Sequence, residues 1–170
     1  MSTDIELIEK KEQRTLIIRD SVGMLKLPKV MGPAYKKIFE YLKEKDFEPT
    51  EAPFTGYQVD NWDEAINMSG LKMLMSVFTK KWDIEMGFEV PDHIEEHGNM
   101  EIKSLPAGEY LQALHVGPYQ KVGQVYKRMY KYAKEHNLKL GDKSLEFYLN
   151  DPGKTTKDKL ETRVLVPVVK

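Results

Sequence analysis

The sequence predicts an α+β fold of two pseudo-symmetric strand-helix-strand-strand modules, with antiparallel sheets around a central cleft. Three observations lead there. Runs of strand length are broken by single amphipathic helices rather than alternating regularly with them. The helices resemble one another: Phe39-Glu40-Tyr41-Leu42-Lys43-Glu44 reads like Tyr130-Lys131-Tyr132-Ala133-Lys134-Glu135, 91 residues further on. At that same spacing of 91, Tyr57-Gln58-Val59-Asp60 reads like Tyr148-Leu149-Asn150-Asp151, so a helix and its following strand repeat together.

Each element has a local reason. Residues 14–19 and 109–115 are apolar-rich runs that open the modules as strands, with an extra strand expected at the N-terminus. Gly32-Pro33 and Gly117-Pro118 punctuate the entries to the helices, where proline is tolerated in a first turn. These dipeptides are 85 apart rather than 91, which predicts a second helix about six residues longer. Helix one directs Tyr35, Ile38, Phe39 and Leu42 to one side; helix two does so with Val122, Val125, Tyr126, Met129 and Tyr132. Lys45-Asp46 and His136-Asn137 end them, with Asn suited to the left-handed cap. Strands follow at 54–59, 82–90, 145–149 and 162–169, and turns at 105–108 and 151–153. Asp83 to Val90 matches Glu161 to Val168 at a spacing of 78, so the first module carries an insertion, mostly 62–81. Met68, Met73, Met75, Trp62 and Phe78 in that insertion predict a satellite core. The resulting division is a single domain with repeat 1 at about 4–90, a polar linker at 91–99, and repeat 2 at about 100–170. A seam between two such modules is a place for a small-molecule site.

Composition narrows the function. The chain has 170 residues, 41% hydrophobic and 31% charged, enough for a real core without staples. A net charge of −1, with bases interleaved among acids, supplies no stripe for phosphate-backbone binding, so direct DNA binding is not expected. No apolar run reaches the ~20 residues of a membrane span. The polar start MSTDIELIEKKEQR is not a secretory signal, and a cytoplasmic location is expected. The absence of cysteine removes disulfides, thiolate zinc sites and thiol nucleophiles. His93 and His97, four apart, sit in a short linker with Pro91 and Gly98, and no metal site is expected from them. His115 reads as a structural histidine at a strand end. No cofactor fingerprint occurs.

Several motifs, in order, carry a resemblance. Ala107-Gly108-Glu109-Tyr110, His115-Val116-Gly117-Pro118-Tyr119 and Leu145-Glu146-Phe147-Tyr148-Leu149-Asn150-Asp151-Pro152 resemble the GyrI-like small-molecule-binding domain. The closing Glu161-Thr162-Arg163-Val164-Leu165-Val166-Pro167-Val168 is similar to that family's last strand. Trp82 to Val90 resembles a family strand in the first half, with Glu89 where the family carries proline. The resemblance implies two modules around a cleft that takes flat, hydrophobic, often cationic molecules between aromatic walls, with a buried glutamate. It also implies a free-standing member of a family that includes effector-binding parts of regulators, hydrolases of strained cyclopropane genotoxins, and a gyrase inhibitor.

The strand at 145–149 then becomes the most informative segment. With period 2, Leu145, Phe147 and Leu149 share one face, and Glu146 and Tyr148 the other. A helix covering the apolar face would leave the carboxylate and phenol toward the cleft. The first-repeat equivalents are Thr55 and Tyr57, so two tyrosines but one acid flank the axis. Glu146 would pair with a cationic ligand or, as a general base, activate water with Tyr148 assisting. Tyr148, Tyr57 and Tyr119 are the leading aromatic walls; Tyr110, Trp82, Phe88 and Phe54 are further candidates, each with core packing as its ordinary role. Glu85 matches an acidic family position, and Arg163 is its partner by repeat. The expected partner is a hydrophobic or cationic small molecule, with a protein partner as the alternative if the surface rather than the cleft is used.

Overall fold

The structure is a computed structural model that describes residues 4–170, apart from the side chains of Met73, Leu74 and Val77. It contains β1 (Glu6–Lys10), β2 (Gln13–Gly23), α1 (Leu27–Glu44), β3 (Phe54–Gln58), α2 (Trp62–Asn67) and α3 (Gly70–Thr79). There follow β4 (Lys81–Glu89), β5 (Glu101–Leu105), β6 (Gly108–Val116), α4 (Gly123–Glu135), β7 (Lys139–Leu140), β8 (Lys143–Tyr148) and β9 (Glu161–Val169). The α+β class with antiparallel sheets is as the sequence predicts. No described helix is long and apolar enough to cross a membrane.

Two compact units make up the chain. The amino-terminal unit comprises Glu12–Gln58 and Met68–Pro106; the carboxy-terminal unit comprises the segment up to Lys11, Val59–Asn67 and Ala107–Lys170. In the amino-terminal unit the strands run β3-β4-β2-β5, all antiparallel. In the carboxy-terminal unit they run β8-β9-β6-β1, again antiparallel, with β7 added to the end of β9. The two orders correspond strand for strand. Their fourth strands, however, are exchanged: β1 pairs with β6 rather than with β2, its neighbour in the chain, and β5 pairs with β2 rather than with β6. The units are therefore not contiguous halves divided at 91–99, and that segment is no loose linker. Ile94 within it is fully buried, and its carbonyl accepts from Arg14 Nη2 at 2.7 Å.

One helix covers one face of each sheet. α1 buries Ala34, Ile38, Tyr41 and Leu42 against Leu16, Ile18 and Val22 of β2 and Ile84, Met86 and Phe88 of β4. α4 buries Val125, Met129 and Ala133 against Leu111 and Ala113 of β6 and Val164 and Val166 of β9. Phe39, expected on the inner face of α1, is 42% exposed. Gly87 has a packing reason: a Cβ there would lie 2.3 Å from the Leu16 carbonyl oxygen.

The helix lengths correct one expectation. Gly32-Pro33 lies inside α1, which begins at Leu27 and has 18 residues, whereas α4 has 13. Pro28 occupies the first turn, where its missing N–H costs nothing, and Pro33 leaves the carbonyl of exposed Lys29 to water. The geometric counterpart of Pro118 is Gly23, both extended (φ −58° and −70°): each is followed by a 3-10 turn, Tyr119–Lys121 and Met24–Lys26, and then the helix. The helix ends match as expected. Asp46 and Asn137 both take the left-handed conformation, with φ of 55° and 54°. Phe47 N and Leu138 N then bond back to the Leu42 and Ala133 carbonyls at 3.0 and 2.8 Å.

Among the described residues, the apolar side chains of the insertion do not gather into the expected satellite core. Trp62 packs with α4, while Leu71, Met75 and Phe78 of α3 are 71%, 59% and 72% exposed. The Met73 side chain lies outside the described residues.

Candidate functional site

β8 sets the site in the carboxy-terminal unit. Glu146 pairs with Val164 of β9, and Val164 belongs to the cluster under α4, so the carboxylate points to the helix-covered face. This corrects the expectation that a helix would cover Leu145, Phe147 and Leu149. Leu145 and Phe147 lie on the opposite face, both buried, with the Arg163 guanidinium 4.8 Å from the Phe147 ring centre. Both faces of β8 are covered, so its alternation did not reveal which one the helix takes. Leu149 lies past the strand and is 38% exposed.

Glu146 is 8% exposed and is held from two sides. The Tyr126 hydroxyl, from α4, donates to Oε1 at 2.7 Å, and the Tyr148 hydroxyl donates to Oε2 at 3.1 Å. Having one proton, the Tyr126 hydroxyl then accepts from Ser144 Oγ, 3.0 Å away. Burial pushes the Glu146 carboxyl above the usual carboxylate range, and the two phenol bonds pull it part of the way back. No Lys, Arg or His among the described residues pairs with it. Tyr119 packs edge-on against Tyr148, with ring centres 5.5 Å apart. The turn that carries Tyr119 is pinned by His115, whose Nε2 lies 2.9 Å from the Pro118 carbonyl oxygen. Burial, and then the negative charges of Asp151 and Glu146, push the Tyr119 hydroxyl up, so it keeps its proton. Thr162, paired with Tyr148, has a buried hydroxyl with no partner among the described residues.

The amino-terminal unit presents the counterpart. Thr55 and Tyr57 pair with Met86 and Ile84, which place them on the face under α1. Tyr35 of α1 hydrogen-bonds the Thr55 hydroxyl. Tyr57 meets Trp82 edge-on at 6.3 Å, and Tyr35 meets Phe88 at 6.0 Å. The structure thus brings Glu146, Tyr148 and Tyr119 together in one unit, and Tyr57, Trp82 and Phe88 on one face of the other. Phe54, paired with Gly87, and Tyr110, paired with Pro167, lie on the faces away from α1 and α4, at 0% and 2% exposure. Glu85 also lies away from α1, where it engages Lys103 and, at 4.0 Å, Arg19.

Tyr126, Ser144 and Trp62 were not singled out by the sequence as site residues. Tyr126 reads as a helix-face aromatic; its one distinguishing signal is that Tyr35 and Tyr126 stand 91 apart, as do Thr55 and Glu146. Trp62 packs on Tyr126, with ring centres 6.0 Å apart, and also lines a cavity of about 410 Å³ with Asp60, Asp63, Tyr130, Leu138 and Leu140.

The fold is thus a helix-backed antiparallel sheet that buries a carboxylate among phenols, with no cationic side chain among the described residues against it. The chain belongs to the GyrI-like small molecule binding domain family, whose model matches residues 3–169. A DNA gyrase inhibitor of Pectobacterium carotovorum subsp. carotovorum (strain PC1) is 36% identical over 69 residues, a match spanning 40% of this chain and 44% of that protein. Among solved structures, EcmrR in a complex with DNA is similar with a TM-score of 0.76 and 20% identity, over 98% of this chain and 57% of that one. A hydrolase from Listeria innocua is similar at TM-score 0.68 and 16% identity, covering 97% and 91% of the two chains. SAV2435, solved with tetraphenylphosphonium bound, gives TM-score 0.58 and 10% identity over 98% and 94%.

Proposed function

We propose that this protein binds a hydrophobic, aromatic cation at Glu146, against the paired rings of Tyr148 and Tyr119, and serves to sense or sequester such compounds. The observation that carries this reading is a carboxylate 8% exposed with phenol donors but no cationic side chain against it. A charge buried without its counter-charge is costly, and a cation arriving from outside offsets that cost. A hydrophobic cation also meets aromatic faces favourably. The tetraphenylphosphonium seen on SAV2435 is a molecule of this class. Calorimetric titration with tetraphenylphosphonium tests the reading. The wild type should bind, and Glu146→Gln should weaken binding by about tenfold or more, a loss of about 1.4 kcal/mol. Equal affinity in the two proteins would remove Glu146 from the site.

A second reading rests on the same carboxyl. Its raised pKa suits a general base, and the Tyr148 hydroxyl beside it would assist a leaving group, so hydrolysis of a strained electrophile would use the same residues. A product heavier by one water, absent with Glu146→Gln, distinguishes turnover from retention of unchanged compound. An action on gyrase would belong to the protein's surface and would survive that substitution.

A further inference from the structure

We propose that Trp62 is a positioning residue for the Glu146 carboxylate, acting through Tyr126. This deepens the reading of Glu146 as the ligand-binding group and takes its functional meaning from it. Trp62 opens α2, in the segment that the first repeat carries and the second lacks. That segment is tied to the turn before β8 at two points. Trp62 Nε1 donates to the Gly141 carbonyl at 2.7 Å, and Val59 N donates to the Asp142 carbonyl at 2.7 Å. Gly141 is itself fixed, with its N–H on the Pro167 carbonyl at 2.7 Å and no room for a Cβ beside the Pro167 ring. The indole therefore stands on a rigid support, tilted 36° against the Tyr126 ring.

Along α4, Tyr126, Tyr130 and Lys134 recur at every fourth position and so form one stripe. α2 engages the whole stripe: Trp62 meets Tyr126, and Asp63 accepts from Tyr130 and lies 3.9 Å from Lys134 Nζ. At its inner end, the stripe delivers one proton to Glu146 Oε1. A phenol that is only half-buried can leave that bond by rotating about its own side-chain torsions. Packed against the phenol with ring centres 6.0 Å apart, the Trp62 indole restricts such a rotation. Because Trp62 also walls the cavity beside Tyr130, truncating it opens room for Tyr126 to move into.

The groups facing Glu146 are few. Tyr126 comes from α4, Ser144 and Tyr148 from β8, and Tyr119 from the turn before α4, while β9 contributes Val164. His115 on β6 is engaged with the Pro118 carbonyl, and Asp151 acts on Tyr119. Removal of the Tyr126 bond takes away one of two groups favouring the charged form, which moves the carboxyl titration upward.

The test is a carbon-13 NMR titration of the Glu146 carboxyl in the ligand-free full chain, its resonance assigned by its loss in Glu146→Gln. Tyr126→Phe and Trp62→Ala should each raise the midpoint by about half a pH unit or more. Trp62→Phe, which keeps a ring against Tyr126, should stay near the wild type. The double variant Tyr126→Phe/Trp62→Ala should shift no further than Tyr126→Phe alone. A wild-type midpoint in Trp62→Ala, or full additivity in the double variant, would overturn the proposal. If Trp62→Ala fails to fold, Trp62→Leu carries the same comparison. A parallel titration with tetraphenylphosphonium keeps the two claims apart: a wild type that does not bind sinks the ligand reading, while the midpoints still decide the role of Trp62.

Discussion

The two units place a tyrosine on the helix and a polar residue on the facing strand at equivalent positions, yet end with different chemistry. In the carboxy-terminal unit Tyr126 donates to a carboxylate; in the amino-terminal unit Tyr35 bonds the hydroxyl of Thr55. The pairs Tyr35/Tyr126, Thr55/Glu146 and Tyr57/Tyr148 all stand 91 residues apart. Both polar residues are buried, at 0% for Thr55 and 8% for Glu146. Thr55 is neutral, and one hydrogen bond meets most of its requirement. Glu146 brings a charge into the same kind of setting, and two phenols soften its desolvation without cancelling it. A repeated scaffold therefore holds an ionisable carboxyl in one copy and a neutral hydroxyl in the other, and the imbalance is what makes the carboxy-terminal copy a candidate for a cation.

The strongest way to test that contrast is to put the charge into the wrong copy. Thr55→Glu should destabilise the protein by about 2–3 kcal/mol at pH 7.5, since a buried carboxylate would replace a satisfied hydroxyl. Burial would raise the folded pKa of the new group. Its electrostatic cost is therefore full above that pKa and absent below the unfolded value of about 4.3. Urea denaturation at pH 7.5 and 4.5 reads both parts, and a loss independent of pH would show that size rather than charge is at fault.

A smaller effect of opposite sign is expected at the native position. Glu146→Gln removes a charge whose folded pKa is raised, so the variant should be more stable than the wild type at pH 8, by about 2–5 °C in Tm. The native carboxyl destabilises the fold as pH rises from the unfolded toward the folded pKa, so the difference should shrink to nothing near pH 4. Thermal scans across that range check the sign; a variant less stable at pH 8 would mean that the phenol bonds outweigh desolvation. The smallest expected effect separates the two tyrosines. Tyr35→Phe should cost about 1 kcal/mol at every pH, because the Thr55 hydroxyl it bonds is neutral, whereas the cost of Tyr126→Phe should grow as Glu146 ionises. Parallel denaturation curves for both variants over the same pH range measure this.

Much of this contrast could be read from the chain. The spacing of 91 predicted the paired tyrosines at 57 and 148 and the paired helix ends, and strand alternation put Glu146 and Tyr148 on one face. Local sequence was weaker wherever a distant partner decides. Matching Gly32-Pro33 to Gly117-Pro118 misaligns the helix entries, because a dipeptide can be shared while the turn it occupies is not; Gly23 stands before the matching turn, where the second copy has Pro118. The face that α4 covers was misread because Leu145 and Phe147 pack as tightly as Glu146 does, so neither side of β8 is left to be the wet one. Trp62 looked like part of an apolar insertion. Its bond to Gly141 joins residues 79 apart, and no local pattern announces it.

The exchange of β1 and β5 gives the repeat an unequal history as sequence and as matter. Read along the chain, one module ends before the next begins. As hydrogen-bonded sheets, the first module's leading strand completes the carboxy-terminal sheet, and the strand just ahead of β6 completes the amino-terminal one. Residues 59–67, embedded in the first repeat, likewise belong to the carboxy-terminal unit. A cut anywhere in 91–99 would hand each fragment a strand whose partners are on the other piece, leaving two incomplete sheets and two unpaired edges. Half of the chain is therefore not half of the fold: each sheet draws its last strand from the other copy's stretch of sequence.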